Sequence, residues 1–400
     1  MSDSRVTPSP DTFSPGSPAA LGFRMPPEWV AHAATHTGWP FDDELWVGHL
    51  EGVREEFALM VATIASFEPV VLNVRDDEAE ADARRRLAVA AERLYGAEAE
   101  RVLANVEYFR VPLNDVWFRD NGPLFVVGTE GSAQPGRVAA TDWRFNAWGR
   151  KYEPSDADDA AAAELTEHLG VKNFRVPIIM EGGALEINGH GVCLTTRSCL
   201  LEPNRNPELS PSEIERYLRD NLGVTQIVWL PAGLEGDHTD GHIDTIVRFA
   251  DDDTIVCAVE EDVTDPNHAT MARNLELLKE LRKPDGTPYR LVELPLPAKR
   301  MELEGERLPP TYANFYVGNG FVLVPTYNDV NDAAAIKILE PLFPGRQVIG
   351  LPAESLITGG GAFHCVTQQR PVGEFVPASW QPTTADPHSA APATDLEEPK

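Results

Sequence analysis

The segment ITGGGAFHCVTQQRP (residues 357–371) places a histidine and a cysteine just after three glycines, which let the backbone come close to a ligand. A free cysteine is usually a buried core thiol. Cys193, Cys199 and Cys257 sit in apolar or β-type runs and are read as inert. Cys365 is instead flanked by glycine and polar residues. In extended chain His364 and Cys365 point to opposite faces, so the base for the thiol must come from elsewhere. Three more polar clusters follow strand-like runs. VWFRDNGP (116–123) carries Arg119, Asp120 and Asn121; PIIMEGGALEI (177–187) carries Glu181 before two glycines; EGDHTDGHIDTIVRF (235–249) carries Asp237, His238, Asp240, His242 and Asp244. If the last is a strand, His242 and Asp244 share a face, giving an imidazole beside a carboxylate. Taken singly, an Arg–Asp pair is more often a salt bridge and Glu-Gly-Gly a turn. Together, a thiol, an imidazole and separated carboxylates suit a planar cation. Carboxylates grip a guanidinium through paired charge-assisted hydrogen bonds while a thiolate adds to its central carbon.

The elements that must hold these groups alternate. Short β-type runs are expected at 69–74, 124–127, 191–196, 226–230, 254–259 and 320–325. Helical patterns cover 45–66, 77–95, 157–169, 211–222, 270–282 and 331–343. This is a mixed α/β body without an internal proline-rich linker or a strong sequence repeat. Pro/Ser/Thr-rich residues 1–24 and residues 377–400 read as disordered tails around a domain spanning 25–376.

Composition narrows the partners. The chain has 400 residues, 42% hydrophobic, and a net charge of -29 with a pI near 4.6. Such acidity repels phosphate backbones, which excludes nucleic acid as an expected partner, and it steers small cations inward. No apolar run reaches the length of a membrane span, and the first residues lack a signal peptide's basic start and apolar core. With only four cysteines, a reducing, cytoplasmic setting is expected. The sequence leaves homo-oligomerisation open.

Seven segments in consistent order carry a family resemblance: MPPEWVAHAATHTGWP, VWFRDNGP, FNAWGRKY, EGGALEI, LTTRSCLLEPNRNP, GDHTDGHID and GGGAFHCVTQQ. Over residues 24–374 the chain resembles the agmatine deiminases and the related bacterial peptidylarginine deiminases of the guanidino-group-modifying superfamily. That resemblance implies a five-bladed α/β propeller (pentein) of ββαβ units around a central, metal-free site that needs no cofactor. It implies Cys365 as nucleophile, His242 as general acid and base, and Asp120 and Asp244 as holders of the guanidinium nitrogens. Glu181 would bond His242 or the substrate, and Trp117 would line the pocket. Arg119, His238, Asp240, Gly360 and Gly361 complete the implied substrate-binding set. The implied reaction converts a small cationic guanidino substrate, agmatine first, into a ureido product and ammonia. Peptidylarginine and free arginine are the alternatives. The chain departs from the family pattern at His36-Thr37, at Ala362-Phe363 and at His238, where the pattern has an acidic residue near the substrate amine.

Two rival readings exist. His238 and His242 have metal-ligand spacing on a helix, as in a metal-dependent ureohydrolase, but Gly241 and the strand-like run after it oppose a helix there. The other rival is a non-catalytic scaffold with a decayed site, which the presence of every reacting group opposes.

Overall fold

The computed structural model describes residues 13–382. Among them, five small sheets repeat one plan: two antiparallel strands, a helix, and a third strand parallel to the second. The first sheet uses Leu124–Gly128, Val138–Arg144, helix Asp156–Leu169 and Asn173–Ile179. The second uses Glu186–Ile187, Val192–Thr196, helix Pro211–Leu222 and Gln226–Leu230. The third uses Val247–Phe249, Thr254–Val259, helix Pro266–Glu280 and Arg290–Pro295. The fourth uses Tyr316–Gly318, Phe321–Thr326, helix Asp332–Leu339 and Gln347–Pro352. The fifth joins the two ends of the described chain. Thr367–Pro371 pairs antiparallel with His32–Gly38, which continues through helix Leu50–Ala65 to Val70–Val74. These are the five ββαβ units expected of the α/β fold.

The local sequence explains these elements. A parallel strand between covered faces reads as a near-continuous apolar run, and Val70–Val74 is buried throughout, its one polar residue, Asn73, donating to the Thr37 carbonyl. Helix Asp77–Tyr95 starts where the Asp76 side chain accepts from the Ala79 N–H, with Asp77, Glu78 and Glu80 in its first turn. Helix Pro211–Leu222 opens with a capping box between Ser210 and Glu213. No helix among the described residues is long and apolar enough to cross a membrane.

Four expectations change. The helix expected from 45 begins at Leu50, because Val47 and Gly48 adopt φ of 48° and 79° and break its start. The helix expected from 270 begins at Pro266, its first turn set by the Asp265 cap. The strand expected across Ile243 is a single 3₁₀ turn, Ile243–Thr245, closed by Thr245 Oγ1 donating to the His242 carbonyl at 2.8 Å. Parts of both expected tails also pack against the domain. Phe23–Arg24 pairs with the edge of the first sheet, Phe23 is fully buried, and Trp380 packs edge-on against it at 6.3 Å. Residues 1–12 and 383–400 lie outside the described residues.

Candidate active site

In each of the five units, the segment entering the first strand carries a site residue. These are Asp120 before Leu124–Gly128, Glu181 before Glu186–Ile187, His242 and Asp244 before Val247–Phe249, Asn314 before Tyr316–Gly318, and Cys365 before Thr367–Pro371. Their contacts close a ring. Gly183 N–H donates to Asp120 Oδ1 at 3.0 Å, His242 Nδ1 lies 3.7 Å from the same oxygen, and Asp244 Oδ2 lies 3.6 Å from Cys365 Sγ. The Arg119 N–H then donates to the Cys365 carbonyl at 3.2 Å.

Besides Asp244, one further side chain holds the thiol. Asn314 Nδ2 donates to Cys365 Sγ at 3.0 Å, and Asn314 Oδ1 accepts from the backbone N–H groups of Ala362, His364 and Cys365. The preceding glycines allow this approach: a Cβ on Gly361 would lie 2.7 Å from the Trp117 ring and 2.9 Å from Cys365 Cβ. Burial pushes the Cys365 thiol up, and the Asp244 and Asp120 charges push it further. These influences favour the neutral thiol. Burial also raises the Asp120 carboxyl to about 6, with Asp244 and Glu181 adding to the rise and His242 opposing it. For His242 burial is the largest influence and favours the neutral ring, but Asp120, Cys199 and Asp244 together outweigh it and hold the imidazole well above its usual value. Asp244 is pulled below the carboxylate range despite its burial, chiefly by His364, whose Nδ1 is 2.6 Å from Asp244 Oδ2.

Above Cys365 lies a chamber of about 20 Å³ walled by Trp117, Trp148, Asp120, His238, Gly360 and Gly361. Asp120 and the Cys365 sulfur thus line a space walled by indole rings, with His242 behind the first and Asp244 behind the second. Flat aromatic walls and paired anions fit a flat cation.

Residues 24–371 match the family model described as Porphyromonas-type peptidyl-arginine deiminase. The chain belongs to this family. An agmatine deiminase of Pseudomonas aeruginosa is 35% identical over 377 residues, 89% of this chain and 97% of that protein. The solved agmatine deiminase of Enterococcus faecalis superposes with a TM-score of 0.80 at 29% identity, covering 90% of this chain and 99% of that one. A Cys-to-Ser agmatine deiminase of C. jejuni, solved with substrate bound, gives 0.77 at 32% identity over 88% and 97%. As a member of the deiminase family the chain is a hydrolase that acts on guanidino groups.

Within this deiminase, Cys365, Asp120, Trp117, His238, Gly360 and Gly361 line the chamber. His242 and Asp244 are buried in contact with it, through Asp120 and Cys365. Three expected residues face elsewhere. Arg119 donates to the His364 carbonyl and to Gln369 Oε1, bracing the cysteine segment from behind. Asp240 pairs with Lys151 and Arg205, outside the chamber. Glu181 directs both oxygens to Arg205 Nε, at 3.0 and 3.2 Å, instead of bonding His242. It buttresses the His242 loop, since Arg205 also donates to the Thr239 carbonyl. Cys199, expected to be an inert core thiol, lies beside Glu181 and His242, the three ligand atoms within 4.8 Å of one another. His238 and His242 do not form the helical pair of the metal reading: His238 Nδ1 meets Tyr152 Oη at 2.6 Å while His242 faces Asp120.

Sequence reasoning missed Asn314, Trp148, His364 and Glu28 as site residues. Trp148 Nε1 donates to Asp120 Oδ2 at 3.0 Å. Glu28 Oε2 lies 2.7 Å from His364 Nε2 and 2.7 Å from Arg248 Nη2, anchoring from behind the histidine that holds Asp244. MPPEWV and FNAWGRKY belong to the family motifs, but Glu28 is the lone titratable group of the first and Trp148 has none of its own, so neither residue stands out from its neighbours.

Proposed function

We propose that this deiminase hydrolyses an alkylguanidine, agmatine first, to a ureido compound and ammonia through a covalent amidino-thioether on Cys365. The observation that carries the reading is the sulfur set between Asp120 and Asp244 beside a buried imidazole. The guanidinium occupies the chamber with its nitrogens on the two carboxylates. Its positive charge offsets the two anions that raise the thiol, so substrate binding itself promotes loss of the Cys365 proton to solvent. The thiolate adds to the guanidinium carbon. His242, held protonated by Asp120, gives a proton to the departing nitrogen, which leaves as ammonia while sulfur stays bonded to the amidino carbon. The now neutral His242 takes a proton from water, hydroxide adds to that carbon, and the adduct collapses: its hydroxyl proton passes to solvent, the C–S bond breaks to return the thiolate, and the ureido product is left. Asp244 holds the second nitrogen edge throughout and is itself fixed by His364. Relatives named agmatine deiminases, matched along nearly their whole length, support the choice of substrate.

The test is Cys365→Ser, assayed for ammonia and ureido product, with intact-mass analysis of native enzyme quenched during turnover. Loss of turnover at an unchanged melting temperature is expected, with an amidino adduct on the native chain alone. Substantial turnover by Cys365→Ser would sink the covalent route. Activity lost in chelator and restored by a divalent metal would replace it with metal-assisted hydrolysis.

A further inference from the structure

The catalytic chamber opens into a larger one. Trp117, Trp148, Tyr152, His238 and Gly359 line both, so the outer chamber, of about 210 Å³, continues the inner one of about 20 Å³. Any substrate with its guanidinium on Asp120 and Asp244 must run its chain into that space. An enclosed cavity of ~150 Å³ takes benzene. Agmatine's aminobutyl tail has fewer heavy atoms than benzene, so it leaves the outer chamber partly filled.

The walls and rim of this chamber have one polarity. Its charged lining groups are Asp115, Glu304 and Glu306, and no Lys or Arg lines it. Lys151, the nearby cation, is occupied by Asp240 Oδ1 and the His238 carbonyl, both at 2.6 Å. Glu304 and Glu306 stand on the short ribbon Glu302–Leu303 and Glu306–Arg307, exposed at the mouth. Neither carboxylate has an ion-pair partner among the described residues. Trp46, Trp117, Trp148 and Tyr152 supply aromatic faces, which favour ammonium groups over carboxylates. The α-carboxylate of free arginine would meet only like charge here. His238, bonded to Tyr152, provides no anion on its side of the chamber.

We propose that this outer chamber selects a guanidine whose chain carries an ammonium beyond the reach of agmatine's own, an aminoalkyl-extended agmatine, and that Glu304 and Glu306 determine that preference. The inference rests on the guanidine-deiminase reading of the inner chamber. Each contact is an exposed ion pair, so each glutamate contributes a few-fold, and the effect weakens as salt screens it.

The experiment measures ureido product from agmatine, N-(3-aminopropyl)agmatine and arginine, with native enzyme, Glu304→Gln, Glu306→Gln and the double variant, at low and high salt. Native enzyme is expected to prefer the extended substrate in kcat/KM. Each single variant lowers that value by up to about fivefold, chiefly through KM, and the double variant by up to about twentyfold, with little change for agmatine. High salt should erode the native preference in parallel. Equal kcat/KM for agmatine and the extended substrate, or equal losses on both in the variants, overturns the inference and leaves the deiminase reading standing. No product from any guanidine overturns the deiminase reading and this inference with it.

Discussion

Asp120→Asn keeps the size of a buried side chain and removes its charge. In the native chain Oδ1 accepts from the Gly183 N–H and Oδ2 from Trp148 Nε1–H, each at 3.0 Å. An amide has one acceptor oxygen, so one of these buried donors is left facing an NH₂ group. That costs about 1 to 3 kcal/mol of stability and shows in the melting temperature. The catalytic loss is separate. A charge-assisted hydrogen bond to guanidinium contributes about 1.5 to 3 kcal/mol, which converts to a fall of about tenfold to 150-fold in kcat/KM. Asp120 is also one of the two charges that push the Cys365 thiol up, so its removal lowers the thiol toward its ordinary value. Alkylation of the free enzyme by a small thiol reagent at fixed neutral pH should therefore quicken while turnover slows, opposite signs that simple misfolding does not produce. The assay is steady-state ammonia release from agmatine beside the alkylation rate, with Asp237→Asn as a control. Asp237 accepts from Thr239 within its own loop and should change kcat/KM far less. A kcat/KM for Asp120→Asn within about threefold of native would refute the guanidinium clamp.

Gly183→Ala would place a Cβ 2.5 Å from His242 Nδ1 and 2.8 Å from Asp120 Oδ1. Turnover should fall sharply with a folded chain, and near-native kcat would show that the imidazole and carboxylate can part without consequence. His238→Glu should raise the kcat/KM ratio of agmatine over arginine by adding an anion to the wall they share; an unchanged ratio would remove that position from substrate choice. Glu56, buried and accepting from Ser355 and Leu356 N–H, has its carboxyl raised by burial from 4.5 to about 7. A raised folded-state value means its stabilising contribution is complete below pH 4.5 and is lost as pH climbs through about 7, on the order of 3 kcal/mol. Glu56→Gln should accordingly gain on the native chain in melting temperature between pH 5 and pH 8, and a constant difference across that range would contradict the shift.

What the sequence determined alone is local. Largely apolar runs such as Val70–Val74 and Thr254–Val259 read as strands because a strand buried on both faces is apolar along most of its length. Helices Asp77–Tyr95 and Pro211–Leu222 were legible to the residue because their caps and first turns are written in adjacent positions. Cys365 stood out because glycine and polar neighbours are unusual around a core thiol, and the ordered motifs named its chemistry. Only the tertiary structure decided what each group faces. The five-fold repeat has no sequence counterpart, because its units share a hydrogen-bond plan and not residues, and one unit is split between the two ends of the described chain. Arg119 and Asp240 read as site residues from their neighbours, yet their partners at Gln369 and Arg205 turn them away from the chamber. Glu28 and Asn314 read as ordinary, and they gain their places from contacts at His364 and Cys365, 336 and 51 positions along the chain. Side-chain type fixes which reactions a group can perform, but the direction it points is set by packing between segments distant in sequence, and that information is not local.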